Sequence, residues 1–207
     1  MQQAIQKTER CIKMTDRKNS IIIGRACTGK TQNFIVPTIK YVCTNNKENM
    51  VVISPKDDIK EHCLKKLQEY GYNYVDVSVE EAQSKQFFTE YYKDIPEPNV
   101  VFISGIGLIE PEVTDKILFN FMNMTKITKH DHIRIFIDEA NIVDKISNLP
   151  EFIETSKANA YSVMMATQSV NLLENGRTYS ADEIINGFET VIFTDEKEKK
   201  RYSETAV

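Results

Sequence analysis

The sequence predicts an α/β fold with a mostly parallel central sheet of about seven strands and helices on both faces. Seven short segments are apolar without regular alternation, which is typical of strands buried on both faces. Segments with helical spacing separate them, and strands that alternate with helices form parallel sheets. With 207 residues, 41% of them hydrophobic and 27% charged, we expect one domain over 1–207, in which 1–18 and 196–207 are peripheral.

The predicted strands are short apolar runs bounded by polar or turn residues. In chain order they are Ser20–Ile23, Met50–Ser54, Tyr74–Val77, Val100–Ser104, Ile133–Ile137, Tyr161–Ala166 and Thr190–Thr194. None of them is long enough to cross a bilayer as a helix, which needs about 20 apolar residues, and we expect no direct membrane span.

Helices are predicted where apolar residues recur every three or four positions. Ile59, Cys63 and Leu67 show this spacing before Gly71, a residue that favours a helix end. Pro37 lies inside the first predicted helix and indicates a kink there. The predicted helices are 31–43, 57–70, 111–127, 149–158 and 181–188. The segment 80–94 is predicted as helix or loop, and 196–201 as a charged tail.

The loop after the first strand matches the pattern G-x-x-x-x-G-K-[ST] between a strand and a helix. Its glycines let backbone N–H groups surround an anion, and the helix N-terminus and Lys30 add positive charge. This loop therefore predicts a nucleoside triphosphate site, with ATP as the expected ligand. The expected nucleotide-binding residues are Gly24, Arg25, Ala26, Cys27, Thr28, Gly29, Lys30, Thr31 and Gln32.

Two acidic residues, Asp138 and Glu139, directly follow the fifth predicted strand. Ligands of open α/β sheets bind at the carboxyl ends of strands, so we expect both carboxylates at the phosphate site. The predicted metal ligands are Thr31, through its hydroxyl, and Asp138, and the expected metal is Mg²⁺. Glu139 is expected to polarise an attacking water.

A polar amide, Gln168, follows the sixth predicted strand. From a neighbouring strand it would point at the γ-phosphate and orient water, as glutamine does in other P-loop proteins. Lys30, Glu139 and Gln168 are therefore the predicted catalytic residues. The combination favours ATP hydrolysis and is typical of RecA-like P-loop NTPases.

The composition argues against several other functions. A net charge of −4 argues against a globally basic nucleic-acid binder. The four cysteines form no C-x-x-C pair and predict the reduced thiols of a cytoplasmic protein. His130 and His132 precede a predicted strand, and we interpret them as surface residues in preference to metal ligands.

Four stretches of the chain resemble the type IV coupling proteins of conjugation and type IV secretion, the TraG/TraD-like group within the FtsK/HerA branch of RecA-like ATPases. The P-loop stretch Asn19–Pro37 is similar to a family P-loop followed by a proline-containing helix. The segment Val51–Asp58 takes the place of the family's Asp-Pro-Lys-Gly-Glu, with Ser54 and Asp57 at the differing positions. Phe136–Ile142 and Ala166–Ser169 resemble its Leu-Asp-Glu-Phe-Ala-Asn and Leu-Gln-Ser.

The resemblance implies ATP hydrolysis that drives transfer of single-stranded DNA or of secretion and conjugation proteins. It also implies a homo-hexamer located peripherally at the inner face of the membrane through its partners. The interval between Gly71 and Ile133 is too short for the family's large all-α insertion. The alternatives are a nucleotide-binding switch or adaptor protein with negligible turnover and, third, a small P-loop phosphotransferase.

Overall fold

The fold is given by a computed structural model of the chain. The residues that the structure describes are 17–84, 86–87, 94–105, 112–127, 132–139, 149–156, 158–174 and 179–205.

Seven strands form one sheet whose described pairings are all parallel. The strands are β1 (Ser20–Ile23), β2 (Asn49–Ser54), β3 (Asn73–Val77), β4 (Asn99–Ser104), β5 (Ile133–Ile137), β6 (Tyr161–Thr167) and β7 (Thr190–Phe193). Their order in the sheet is β3-β4-β2-β5-β6-β1-β7. This sheet confirms the predicted α/β class.

The helices alternate with the strands along the chain. They are α1 (Val36–Asn45), α2 (Asp58–Glu69), α3 (Val79–Ala82), α4 (Glu112–Ile127), α5 (Leu149–Ser156), α6 (Asn171–Glu174), α7 (Ala181–Asn186) and α8 (Glu196–Thr205). The segment expected only as a charged tail thus forms helix α8. Of the segment 80–94, predicted as helix or loop, the beginning belongs to α3, and residues 85 and 88–93 lie outside the described residues.

Apolar layers cover both faces of the sheet. On one face, Ile22 of β1 packs in a cluster with buried residues of α1 and α2, such as Ile39 and Cys63. On the other face, Ile21 belongs to a second cluster that includes Phe121 of α4. Because both faces are covered, the central strands are buried at every position, which explains their unalternating sequences.

The helix after the P-loop begins with an irregular turn. Thr31–Ile35 is a π-helical turn, in which the N–H of Val36 donates to the carbonyl of Thr31, and α1 follows directly. Pro37 lacks an N–H and cannot donate to the carbonyl four residues earlier. A widened turn therefore lies just before Pro37, in the segment that carries Thr31, and the kink at Pro37 itself stays a prediction.

A buried polar cluster lies at the amino ends of the strands. Nε of Arg134 and Nε of Arg17 each donate to Glu48, with both N–O distances 2.8 Å. His132 is 8% exposed, and its Nε2 lies 3.0 Å from Oγ of Ser162. The interpretation of His132 as a surface residue is therefore wrong, because its ring is buried against Ser162 of β6. His130 lies outside the described residues.

The sheet order brings the predicted site residues to one edge. β6 lies between β1 and β5 and β2 follows β5, so the carboxyl ends of these four parallel strands are neighbours. Ile23 of β1 is level with Thr167 of β6, and Ile137 of β5 is level with Met165. Among the described residues, no helix is both long enough and apolar enough to cross a membrane.

Candidate functional site

The P-loop adopts a conformation that requires its glycines. Gly29 has a left-handed backbone, with φ 79°, and a Cβ atom there would lie 2.2 Å from Nδ2 of Asn33. A Cβ atom at Gly24 would lie 1.9 Å from Oγ1 of Thr194. The N–H of Gly24 donates to the carbonyl of Thr167, at 3.1 Å, which ties the loop to the tip of β6. The loop is thus held close to two neighbouring strand ends.

Lys30 lies inside this loop. Its side chain is 6% exposed, and Nζ donates to the carbonyls of Gly24 (2.6 Å) and Arg25 (2.9 Å). Burial lowers the pKa of Lys30, whereas the nearby carboxylates of Asp138 and Glu139 oppose that shift. The ammonium group is therefore held beside the acidic strand tip, in a loop whose geometry suits phosphate oxygens.

The predicted metal ligands are in direct contact. The hydroxyl of Thr31 donates to Oδ2 of Asp138 at 2.9 Å, and the N–H of Asp138 donates to the carbonyl of Ile53 on β2. Asp138 is 4% exposed, and its Oδ1 has no hydrogen-bond partner among the described residues. A hydroxyl and a buried carboxylate with a spare oxygen are the hard donors that Mg²⁺ prefers, so these residues fit the metal.

Burial dominates the electrostatics of Asp138. Desolvation raises its pKa to about 6, the Thr31 hydrogen bond opposes this shift, and the charges of Glu139 and Asp58 add to it. A carboxylate whose ionisation is disfavoured by its surroundings gains most when a cation is bound beside it. Perturbed groups of this kind are concentrated at functional sites.

Glu139 is half-buried and follows Asp138 with φ 51°, a left-handed conformation. That conformation is uncommon for a residue other than glycine and costs of order 1–3 kcal/mol. No local sequence pattern predicts this conformation. The turn places the carboxylate of Glu139 close enough to Lys30 to act on its charge.

Gln168 directly follows Thr167, the β6 residue whose carbonyl accepts the N–H of Gly24. It is half-buried and occupies the strand end between those that carry the P-loop and the Asp138–Glu139 pair. The structure thus places the ends of β1, β6 and β5 side by side at one edge of the sheet. Next to Asp138, Ser54 ends β2, and its Oγ accepts the N–H of Lys56 at 3.3 Å.

The remaining predicted P-loop residues line the outer part of the loop. Arg25, Ala26, Cys27 and Gln32 are exposed, and Thr28 is half-buried. Cys27 also has a left-handed backbone, with φ 62°. These residues are therefore accessible to solvent.

Two residues at the site were missed by sequence reasoning. Oγ1 of Thr194, just after β7, lies 2.7 Å from Oγ1 of Thr28, and Asp195 forms an ion pair with Arg25. Polar residues commonly follow an apolar strand, and no sequence spacing relates Asp195 to the P-loop. Only the position of β7 beside β1 brings them together.

The fold is that of P-loop NTPases, and solved structures share it. The bacterial conjugative coupling protein TrwBdeltaN70, in its unbound monoclinic form, is 10% identical, with a TM-score of 0.65 over 93% of this chain and 72% of that chain. TrwB in complex with the ATP analogue ADPNP is 11% identical, with a TM-score of 0.59 over 86% and 71%. At these identities the likeness concerns the fold.

A viral protein shares the same fold. The genome packaging NTPase B204 from Sulfolobus turreted icosahedral virus 2, in complex with ATP-gammaS, is 12% identical. Its TM-score is 0.57, over 90% of this chain and 80% of that chain. No curated protein sequence matches this chain.

The family comparison is more specific. Residues 132–206, which include β5, β6 and β7, match a family model described as the TraM recognition site of TraD and TraG. This match supports the resemblance to TraG/TraD-like type IV coupling proteins over that part of the chain, and the TrwB structures share the fold. Placement in the FtsK/HerA branch stays a prediction.

Proposed function

We propose that the chain is a Mg²⁺-dependent ATPase resembling the motor core of a conjugative coupling protein. The observation that carries this proposal is the contact between Thr31 and the buried Asp138, beside Lys30 of the P-loop. One carboxylate oxygen in that contact has no partner among the described residues. Such a contact is suited to a nucleotide-bound divalent cation and has little use in a merely structural loop.

Each residue has a distinct part in this proposal. The N–H groups of the loop and the ammonium of Lys30 bind the β- and γ-phosphates. Thr31 and Asp138 would hold Mg²⁺, which when bound neutralises phosphate charge. Glu139 accepts a proton from, or polarises, the attacking water, and Gln168 orients that water.

The comparisons support nucleotide binding and a motor function without fixing the substrate. Two proteins of the same fold were solved with ATP analogues, and the matched family is described by its recognition of a protein. We propose that the chain works as a homo-hexamer in the cytoplasm, at the inner face of the membrane through its partners. The moved substrate is single-stranded DNA or a secretion or conjugation protein.

Release of phosphate from ATP tests this function. We expect turnover that requires Mg²⁺ and stops with EDTA, and Lys30→Ala should lower the rate by about 100-fold or more because it removes charge stabilisation of the phosphates. The exposed Lys65 on α2 offers a matched control, and Lys65→Ala should keep the wild-type rate.

The other outcomes identify the alternatives. Tight ATP binding by the wild type without phosphate release, with or without single-stranded DNA, would indicate a nucleotide switch. Phosphate found on a small acceptor would indicate a phosphotransferase. Stimulation of the rate by single-stranded DNA would favour DNA over protein as the moved substrate.

A further inference from the structure

The end of β7 is packed against the P-loop. The N–H of Thr194 donates to the carbonyl of Ile23 at 2.9 Å. Its hydroxyl lies 2.7 Å from Oγ1 of Thr28 and fills the space beside Gly24 that a Cβ atom would need. The first half of the P-loop is therefore shaped by contact with Thr194 as well as by its own sequence.

Asp195 connects the P-loop to the following helix. Its Oδ2 accepts from Nε of Arg25, while its Oδ1 accepts the N–H of Lys197 at 2.9 Å in the first turn of α8. Aspartate is a favourable N-cap residue, because its side chain satisfies a free N–H of the first turn. One carboxylate thus acts both as the cap of α8 and as the partner of a P-loop arginine.

Glu198 connects the same helix to the end of β6. It lies in the first turn of α8, is 4% exposed, and its Oε2 accepts the N–H of Val170 at 3.4 Å. Val170 is two residues after Gln168. The rings of Phe193 and Tyr202, 5.7 Å apart, fix α8 against β7. Helix α8 therefore contacts both the P-loop and the segment that carries Gln168.

We propose that Asp195 and Glu198 are positioning residues of the nucleotide site, through which α8 holds the P-loop and the Gln168 segment in a fixed relation. This inference rests on the proposed function. The Arg25 side chain is 60% exposed and that of Asp195 is 5% exposed, and an ion pair with one solvated partner contributes little to folding stability. The loss of this ion pair is therefore expected to act on the nucleotide site.

The direction of the change in ATP affinity distinguishes a positioning role of Asp195 from a simple effect of its charge. Removing a carboxylate near a bound polyanion strengthens the attraction between the protein and that anion, so charge alone predicts tighter ATP binding without Asp195. Positioning predicts weaker binding, because the loop no longer holds its N–H groups in place.

Asp195→Ser tests the P-loop connection. Serine is also a good N-cap but is too short to reach Arg25, so the helix end is kept and the ion pair is lost. We expect ATP affinity, measured by calorimetry, to fall about tenfold, with an unchanged urea midpoint. The control Glu196→Gln removes a charge from the exposed neighbouring position and should leave affinity unchanged. Equal or tighter ATP binding by Asp195→Ser would overturn the proposal.

Glu198 is tested by a pair of variants. Glu198→Ala loses the acceptor for Val170, so we expect kcat to fall about tenfold with KM little changed, because the Gln168 segment acts on the attacking water. Glu198→Gln keeps an acceptor oxygen and should restore kcat. A kcat for Glu198→Ala equal to that of the wild type, or a kcat for Glu198→Gln as low as that of Glu198→Ala, would contradict a positioning role.

Amide hydrogen exchange in nucleotide-free protein distinguishes failure of this inference from failure of the proposed function. The N–H groups of Gly24 and Thr28 are hydrogen-bonded within and beside the loop. Asp195→Ser should speed their exchange, whereas Glu196→Gln should not. If the wild type binds no ATP, the proposed function fails while this measurement still tests the connection. Unchanged exchange of these N–H groups in Asp195→Ser would refute the connection through Asp195.

Discussion

At the scale of single residues, the candidate site concentrates buried charge that the fold alone does not need. Lys30 and Asp138 are both almost completely buried, and Asp138 keeps an oxygen without a partner among the described residues. Such groups oppose folding unless they are paired. Their presence together at the carboxyl edge of the sheet is what the proposed nucleotide and Mg²⁺ would stabilise.

The buried His132 predicts a pH dependence of stability. Desolvation by burial lowers its pKa to about 4, against the charge of Glu48 and with help from Arg17 and Arg134. Because the unfolded chain binds this proton below its ordinary pKa of about 6.5, the free energy of unfolding should fall between pH 6.5 and 4, by on the order of 3 kcal/mol.

Urea unfolding across that pH range checks the expectation. Burial works against the ionisation of Glu48, but Arg134 and Arg17 hold its pKa below the ordinary value. Protonation of Glu48 should therefore also lower the free energy of unfolding, at lower pH. His132→Gln keeps a hydrogen-bonding group toward Ser162 and does not titrate. An identical slope in the wild type and this variant would show that His132 is not responsible.

The sequence predicted the site residues that belong to a local sequence motif. It missed those that reach the site only through contacts between segments distant in the chain. Lys30, Thr31 and Asp138 were predicted because a loop pattern and an acidic strand end are local features. The ion pair of Asp195 with Arg25 joins positions far apart in the chain. The left-handed turn at Glu139 is also set by its surroundings, since no local preference favours it.

At the scale of elements, an aromatic cluster joins α4 and α5 to β6. Phe121 meets Tyr161 edge to face, with ring centroids 5.4 Å apart, and Phe152 stacks on Tyr161 at 5.1 Å. These rings lie on the sheet face opposite α1. They support the strand whose end carries Gln168.

Two phenylalanines of α4 offer a matched test of this packing. Phe121 is 2% exposed and Phe119 is 52% exposed. Phe121→Ala should lower the free energy of unfolding by about 3–5 kcal/mol because it leaves a cavity, and Phe119→Ala should change it by less than about 0.5 kcal/mol. Similar losses in the two variants, measured by chemical denaturation, would contradict the described orientation of α4.

Element boundaries were predictable to within a few residues where a pattern was strong. The structure extends β2 by Asn49 and β6 by Thr167, both of which are polar residues buried in the sheet. The widened turn at Thr31–Ile35 follows from Pro37, but its form was not predictable. Helix α8 was missed because its sequence is strongly charged and has little apolar periodicity.

At the scale of the whole molecule, the strand order makes the site. The sequence predicted a parallel sheet, but only the fold places β6 between β1 and β5. Hydrophobic patterns fix which segments are strands and leave their order open, because all central strands are equally apolar. That order makes the P-loop, the Asp138–Glu139 pair and Gln168 neighbours, and it turns a binding loop into a candidate hydrolysis site.

The fate of ATP bound to the Glu139→Gln variant tests this account most directly. Glutamine keeps the size of the side chain and removes its capacity to take a proton, while Lys30, Thr31 and Asp138 remain to hold Mg²⁺ and nucleotide. We predict that the variant binds ATP as tightly as the wild type and that the bound ATP stays intact while the wild type releases phosphate. Phosphate release by Glu139→Gln at the wild-type rate would contradict the account.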